Sequence, residues 1–233
     1  DNDDDSYLLA LDKKTGKRKW RTSRSGFRRG YTTPMLWKAN GRTELVVSGS
    51  YKVTSYDPET GQEHWTCRGL TRWVNPTPVA AHGLLFVTSN GPGGSVFLAI
   101  RPGGKGDITD SHVAWKYDRG APYIPSPLVV GDYLYAVRNG GVATCLNAKT
   151  GEVAWQQRLP AGGKYYSSPI YADGKIYMTS EEGKISVLEA GPEYKLLGVN
   201  DMEERSMATP AVSNGQIFLR SDHALYSIGA PRN

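Results

Sequence analysis

Short apolar segments alternate with turn residues along the whole chain. In the clearest stretch, Pro127–Val130 and Tyr133–Val137 are separated by a Gly-Asp pair, and Val142–Leu146 follows a turn of Asn-Gly-Gly. Large side chains alternate around Tyr135, which is typical of a strand with one packed face. Glu152–Gln156 completes the group after a second glycine turn. The pattern predicts four antiparallel strands joined by tight turns.

This four-strand unit recurs. Its first half opens with a small residue and proline, and these prolines are spaced by 44, 49, 42 and 41 residues. Its second half has Asp or Asn three residues before Thr-Gly and eight residues before Trp, in three copies. A period near 40 residues is typical of β-propeller blades. The copies of the second half are Ala10–Trp20, Ser55–Trp65 and Cys145–Trp155.

The repeat predicts an all-β fold, a β-propeller of four-stranded antiparallel blades in a single domain over residues 1–233. Glycine permits the tight turn between third and fourth strands, and the tryptophan on the outer strand is expected to pack against the neighbouring blade. We expect Trp20, Trp65, Trp115 and Trp155 at equivalent, largely buried positions. Full blades are predicted at 31–65, 75–115, 125–155 and 167–199, with partial blades at 1–20 and 208–228.

Two blades depart from the repeat. The blade at 75–115 carries six extra residues within Arg101–His112, which we interpret as a tolerated loop extension, although loops also carry function. The blade at 167–199 lacks both Thr-Gly and Trp, and the motif spacing places Glu189 and Leu197 at the corresponding positions.

The partial blades predict an incomplete propeller with two free strand edges. Unpaired edges are templates for pairing with another chain. We therefore expect the edges at Tyr7–Leu11 and Leu225–Ile228 to be covered, by the missing blades of an additional polypeptide, by self-association, or by rearrangement into a smaller ring.

Composition excludes several classes. The 233 residues carry a formal net charge of +5 without a dense basic stripe, so no nucleic-acid partner is predicted. Apolar runs are too short for a transmembrane segment, and Asp1–Asp5 does not resemble a signal peptide. Cys67 and Cys145 stand far apart with no metal-ligand spacing, so neither a disulfide scaffold nor a metal site is predicted.

Catalytic and metal motifs are equally sparse. Asp1, Asp3, Asp5 and Asp12 imitate part of a calcium loop, but the glycine required at the sixth position is Ser6. We interpret this segment as a solvated turn. There is no phosphate-binding glycine loop and no nucleophile elbow, and no catalytic residue is predicted.

The blade-to-blade loops share a bias that the fold does not require. Arginine or lysine recurs there beside an aromatic residue, whereas the turns at the opposite end do not show this. Arginine forks suit carboxylate or phosphate, and aromatic faces offer stacking. Such loops would converge on one face around a propeller axis and form a ligand site; alternatively, they are rim residues paired with acids such as Glu203 and Glu204. The candidate residues are Arg28, Arg29, Tyr31, Arg72, Trp73, Arg119, Tyr123, Lys164, Tyr165, Tyr166 and Arg205.

The segment Ala10–Trp20 resembles the pyrroloquinoline-quinone-type repeat with its tryptophan-docking signature, and the resemblance covers essentially the whole chain. The chain is similar to the C-terminal part of bacterial eight-bladed propellers of this family, with about three blades absent. The resemblance implies an extracytoplasmic location, periplasmic or secreted. It implies one of two activities: some members bind pyrroloquinoline quinone (PQQ) and Ca²⁺ and oxidise alcohols or sugars, whereas others only bind partners. The adjacent cysteines typical of the alcohol dehydrogenases are missing here.

We therefore predict a non-catalytic binding or scaffold propeller without a cofactor, whose partner is a protein or a small anionic or aromatic ligand. One alternative is a PQQ-dependent oxidoreductase that uses PQQ and Ca²⁺ and whose decisive residues lie in missing blades. The other is a ligand-sensing domain of a signalling protein.

Overall fold

The computed structural model describes residues 1–229, which form 22 strands and one short helix. The elements of the first half are β1 (Tyr7–Leu11), β2 (Arg18–Ser23), β3 (Met35–Ala39), β4 (Arg42–Gly49), β5 (Lys52–Tyr56), β6 (Glu63–Arg68), β7 (Val79–Ala81), β8 (Leu84–Gly91), β9 (Gly94–Ile100), β10 (Gly106–Asp107), α1 (Thr109–His112) and β11 (Val113–Tyr117). Those of the second half are β12 (Leu128–Val130), β13 (Tyr133–Arg138), β14 (Val142–Asn147), β15 (Val153–Arg158), β16 (Ile170–Ala172), β17 (Lys175–Thr179), β18 (Lys184–Glu189), β19 (Leu196–Asp201), β20 (Ala211–Ser213), β21 (Gln216–Arg220) and β22 (Leu225–Gly229).

The strands pair with their sequence neighbours in antiparallel sheets that we call blades. Four blades have four such strands: β3–β6, β7–β9 with β11, β12–β15 and β16–β19. They are flanked by a two-stranded sheet, β1–β2, and a three-stranded sheet, β20–β22. The predicted fold class, with four full blades and a partial blade at each end, is confirmed. Within residues 1–229, β1 and β22 each pair with one strand, and the expected cover on these edges stays a prediction.

The chain divides into two compact units, Asp1–Tyr123 with β1–β11 and a second beginning at Ile124 with β12–β22. In each unit the core lies between adjacent blades. The core of the first unit joins Val46 and Trp65 to Leu85 and Leu98, and that of the second joins Tyr135 and Trp155 to Met178. The expectation of a single domain stays a prediction.

Trp65, Trp115 and Trp155 lie on the fourth strand of their blades, and Trp20 lies on the equivalent outer strand β2 of the two-stranded sheet, as predicted. Trp65 and Trp155 are buried, whereas Trp20 and Trp115 are half-buried. Each faces a small third-strand residue directly before a β-bulge; these partners are Ala10, Ser55, Ala99 and Cys145.

The tryptophan and glycine of successive repeats are complementary. Gly61 has φ +74°, and a Cβ placed there would meet Trp20 Cε3 at 2.5 Å. Trp20 Nε1 donates to Pro58 O at 3.1 Å, and Thr22 Oγ1 donates to Gly61 O at 2.7 Å. Glycine is therefore required at position 61 for two reasons: the backbone there is left-handed, and a side chain would collide with the Trp20 indole of the preceding repeat.

The Asp or Asn of the repeat has a role that the sequence reading did not assign. Asp12, Asp57 and Asn147 each accept two backbone N–H bonds of the following turn on Oδ1. In the first two turns, led by the bond from the N–H of Thr15 or Thr60, these bonds lower the pKa of the carboxyl group. The residue is an Asx-turn former, which explains why Asn can replace Asp.

The assignment of Leu197 to the tryptophan position is wrong. Gly198 pairs with Val187 just before the bulge, so that Gly198 is the counterpart of Trp155. The turn between β18 and β19 is one residue longer than the standard turn, which moves the register by one. A side chain at Gly198 would meet nothing within 4 Å.

The six-residue insertion attaches to the preceding blade. β10 adds to β6 in parallel, with Gly106 opposite Trp65, and Ile108 N donates to Thr66 O at 2.9 Å. Ile108 is buried and joins the core of the first unit. The insertion therefore has a structural role, because it covers the outer strand that carries Trp65.

Candidate functional site

A pocket of about 340 Å³ opens on the first unit. Its size falls within the range of small-ligand sites. Six of the eleven candidate residues line it, together with one carboxylate that the sequence analysis did not select. The lining is Asp3, Arg28, Arg29, Tyr31, Arg72, Trp73 and Tyr123.

The loop after β2 is held by two buried side chains. Arg24 is fully buried; its guanidinium lies 3.7 Å from the centroid of the Phe27 ring and donates to Tyr56 Oη at 2.6 Å. Asp1 accepts from Arg24 Nε at 2.6 Å and from Arg24 Nη2 at 2.9 Å. Because Phe27 is anchored, the next two residues, Arg28 and Arg29, project into solvent.

The aromatic side of the pocket rests on the blade formed by β7–β9 and β11. Trp73 lies against Gly91, where a Cβ would meet Trp73 Cβ at 3.3 Å. Asn75 Nδ2 donates to Tyr123 O at 2.9 Å. The rings of Trp73 and Tyr123 lie 6.2 Å apart at 59°, within the usual range for aromatic pairs. Trp73 and Tyr31 remain exposed, the latter at 64%.

One arginine of the pocket is paired. Asp3 Oδ2 lies 2.8 Å from Arg29 Nη2, and the backbone N–H of Arg29 donates to Asp3 Oδ1 at 3.2 Å. That backbone bond is the largest cause that lowers the pKa of Asp3, and the charges of Arg29 and Arg28 act in the same direction. The Asp3 carboxylate, followed by the Tyr31 hydroxyl, raises the pKa of Arg29.

The other two arginines of the pocket, Arg28 and Arg72, are exposed and form no direct ion pair within the described residues. Within residues 1–229, the side chains of Arg28 and Arg72 form no ion pair and no hydrogen bond. The pocket thus presents three guanidinium groups to a single internal carboxylate. Its chemistry is anion recognition beside exposed aromatic rings.

The remaining candidates do not join this pocket. Arg119 is exposed on the first unit and is not part of the lining. In the second unit, Lys164 is exposed, Tyr166 is half-buried and Tyr165 is fully buried. Burial raises the pKa of Tyr165 to about 12, and its side chain belongs to the core rather than to a ligand surface. The predicted common face around an axis stays a prediction.

Arg205 is neutralised by acids of its own unit. Its Nη2 lies 2.7 Å from Glu181 Oε1, and its Nη1 lies 3.7 Å from Asp222 Oδ2. A shallow depression around it is lined by Glu181, Glu182, Glu203, Glu204 and Arg205. The alternative interpretation, a rim residue paired with acids, describes Arg205 well, although its direct partners are Glu181 and Asp222.

Sequence reasoning missed Asp3 as a pocket residue and did not separate Arg24 from the exposed arginines of its loop. The only signal in the sequence is complementary charge, because Asp1, Asp3 and Asp5 are each followed by an arginine about twenty residues on. The structure pairs them with Arg24, Arg29 and Arg21. These carboxylates therefore serve three separate arginines and not a common cation.

The lining of the pocket, with three arginines and one carboxylate, does not fit a calcium ion. No cluster of three or more His, Cys, Asp or Glu suited to a metal occurs in residues 1–229, and the pocket carboxylate Asp3 is held by Arg29. Cys67 and Cys145 are free and buried, and burial raises their pKa to about 11 and about 12. None of the described helices is long and apolar enough to cross a membrane.

Comparison with known proteins gives a family match over residues 4–229, described as outer membrane protein assembly factor BamB. The chain belongs to the BamB family. A BamB from Burkholderia pseudomallei is 25% identical over 155 residues, which cover 65% of this chain and 39% of that protein. A 1-butanol dehydrogenase (quinone) from Thauera butanivorans is 25% identical over 193 residues, which cover 78% of this chain and 29% of the enzyme.

The fold agrees with this membership. The crystal structure of BamB from Moraxella catarrhalis superposes with a TM-score of 0.71 at 16% identity, covering 92% of this chain and 64% of that one. In the two sequence relatives, by contrast, the matched part of this chain covers well under half of their length. The chain is similar in sequence both to a BamB and to a quinone dehydrogenase, so this similarity does not select between their activities.

Proposed function

We propose that this BamB-family chain is a non-catalytic binding propeller that contacts a protein partner through the cationic pocket of its first unit. One observation supports this proposal above all: the guanidinium groups of Arg28 and Arg72, which form no direct ion pair within residues 1–229, line the same pocket as the exposed ring of Trp73. By analogy with its family, the protein acts outside the cytoplasm.

The lining of the pocket supports binding rather than bond-making chemistry. Arginine donates hydrogen bonds but does not act as a general base, because it stays protonated at any physiological pH. The one acid, Asp3, is occupied by Arg29. Arginine and tryptophan are also the residue types that contribute most binding energy at protein interfaces.

An array of random twelve-residue peptides, incubated with the intact protein, tests the proposal without knowledge of the partner. We expect a set of bound peptides whose signal is lost with Arg72→Ala and with Trp73→Ala. Arg18→Ala, an exposed arginine on β2 outside the pocket, is the matched control and should keep the set. If no peptide depends on Arg72 or Trp73, the proposal is wrong.

A quinoprotein oxidoreductase is the second candidate, and the similarity to the Thauera dehydrogenase favours it. Bound PQQ would supply the oxidising group in that case, while residues 1–229 contain no cluster of three or more His, Cys, Asp or Glu suited to a metal. The intact protein is incubated with PQQ and Ca²⁺, and dye reduction is followed with short-chain alcohols and with sugars. A quinone-dependent rate would overturn the non-catalytic proposal.

A further inference from the structure

The pocket of the first unit already holds a carboxylate of its own chain. Asp3 meets Arg29 through both the side chain, at 2.8 Å, and the backbone N–H, at 3.2 Å. Charge-assisted contacts of this kind are those an incoming carboxylate would make. Asp3 therefore shows which chemical group this pocket accepts.

The two neighbouring ion pairs, Asp1–Arg24 and Asp3–Arg29, differ in how deeply they are buried. Asp1 and Arg24 are buried, with side-chain exposures of 3% and 0%. Asp3 and Arg29 keep 42% and 64% of their side-chain surface exposed. Exposed ion pairs contribute little because water can solvate either group after separation. Asp3 can thus leave Arg29 at small cost, while Asp1 stays in place.

The surroundings extend the site beyond one carboxylate. Arg28 and Arg72 form no direct ion pair in the described part of the chain, although the charge of Arg28 also acts on Asp3. Trp73 packs on Tyr123 with 42% of its surface free. An acidic segment that places one carboxylate at Arg29, another at Arg28 or Arg72, and an aromatic ring on Trp73 would contact both the charged and the aromatic groups of the lining. A bare phosphate would use the arginines but leave the rings without a contact.

We propose that Asp3 is an internal competitor for a short acidic partner segment that carries an aromatic side chain, and that this segment displaces Asp3 from Arg29. The inference rests on the proposed function, because it names the partner chemistry of the same pocket. The affinity of the partner is set partly by the chain itself: each carboxylate that reaches Arg29 must first replace Asp3.

The test measures fluorescence anisotropy of a labelled, end-blocked peptide in which aspartates alternate with phenylalanine, added to the intact protein. Asp3→Asn should tighten binding about two- to five-fold, the range expected for loss of one competing exposed ion pair. Asp5→Asn is the matched control, because it removes the same charge from the same segment but frees Arg21, which is not in the pocket. It should leave the affinity nearly unchanged. Asp3→Ser repeats the test with a smaller side chain.

Two comparison probes identify the ligand class. A peptide with asparagine in place of aspartate should not bind, and one with leucine in place of phenylalanine should bind more weakly. Inorganic phosphate at matched ionic strength should displace the acidic peptide no better than chloride; stronger displacement would make the pocket a phosphate site and overturn the inference.

The remaining outcomes separate this inference from the proposed function. If Asp3→Asn and Asp5→Asn act equally, net charge alone explains the effect and Asp3 is no competitor. If array peptides depend on Arg72 but are not acidic, the acidic-partner inference fails while the binding function stands. If no peptide depends on Arg72 or on Trp73, both fail.

Discussion

The loops of the two units carry similar basic and aromatic residues, but the two units differ in whether those residues are paired or buried within the fold. In the first unit, Arg28 and Arg72 keep their charge exposed beside aromatic rings, and one acid balances three arginines. In the second, Arg205 lies among four glutamates and is bound by Glu181, while Tyr165 is part of the core. The same combination of arginine and aromatic residues therefore forms a free cationic pocket in one unit and an internally neutralised surface in the other.

The difference lies in which partners the fold brings to each loop. Glu181 follows β17 and holds Arg205, and Asp222 follows β21 on the other side. In the first unit the corresponding acid is Asp3, and it forms a direct ion pair with Arg29 alone among the three pocket arginines. A basic residue in a loop thus indicates a binding site only when its own fold leaves it unpaired.

The largest expected effect separates the two tyrosines that the sequence treats alike. Tyr165→Ala should lower the free energy of unfolding by about 3–5 kcal/mol, because it empties a large buried volume. Tyr31→Ala should change it by less than about 0.5 kcal/mol, since Tyr31 is mostly exposed. Urea denaturation followed by fluorescence measures both.

Tyr165→Phe is the control for the ring. The Tyr165 hydroxyl has no hydrogen-bond partner within residues 1–229, so its removal should cost less than about 1 kcal/mol. A large loss for Phe, or equal losses for the two alanine variants, would contradict the assignment of Tyr165 to the core.

The next effect concerns the two arginines. Arg72→Ala should weaken binding of the acidic peptide about ten-fold, as for the loss of a charge-assisted contact, and leave stability unchanged. Arg205→Ala should leave peptide binding unchanged and change stability only slightly, because the Arg205 side chain is half exposed and water can solvate its charge. Anisotropy titration and urea denaturation of both variants give the four values. Equal loss of binding would contradict the assignment of the binding groups to the first unit.

The smallest effect is a pH dependence of the second unit. Glu204 accepts hydrogen bonds from Ser221 and from Tyr226 Oη, and these bonds, that of Ser221 first, lower the pKa of its carboxyl group. Because the pKa of Glu204 is lower in the folded state, its carboxylate stabilises the protein at a pH above the unfolded-state pKa near 4.5. This stabilisation is lost as the pH falls through the folded-state pKa.

Wild-type protein should therefore exceed Glu204→Gln in melting temperature at pH 7, and the gap should narrow as the pH falls below about 4. Thermal melts at matched ionic strength measure the gap. A constant difference between pH 7 and pH 3 would show that the carboxylate charge of Glu204 does not contribute.

Much of the fold could be predicted because its signals are local. The spacing from Asp or Asn to Thr-Gly and Trp placed Trp20, Trp65 and Trp155 on the outer strands of their sheets. Local spacing failed at Leu197, where one extra turn residue moved the register to Gly198. It also could not show that Ile108 of the insertion would enter the core of the preceding blade.

The sequence by itself determined the blade count, the strand order within each blade and the residue types in the loops. These follow from short-range alternation, glycine turns and a repeated period, which act over a few residues at a time. The tertiary structure alone decided which arginines lack a direct ion pair and stay exposed to solvent, because pairing depends on groups brought together from distant positions. Arg24 and Arg28 are four residues apart in the sequence, yet the fold buries the first with Asp1 and leaves the second free.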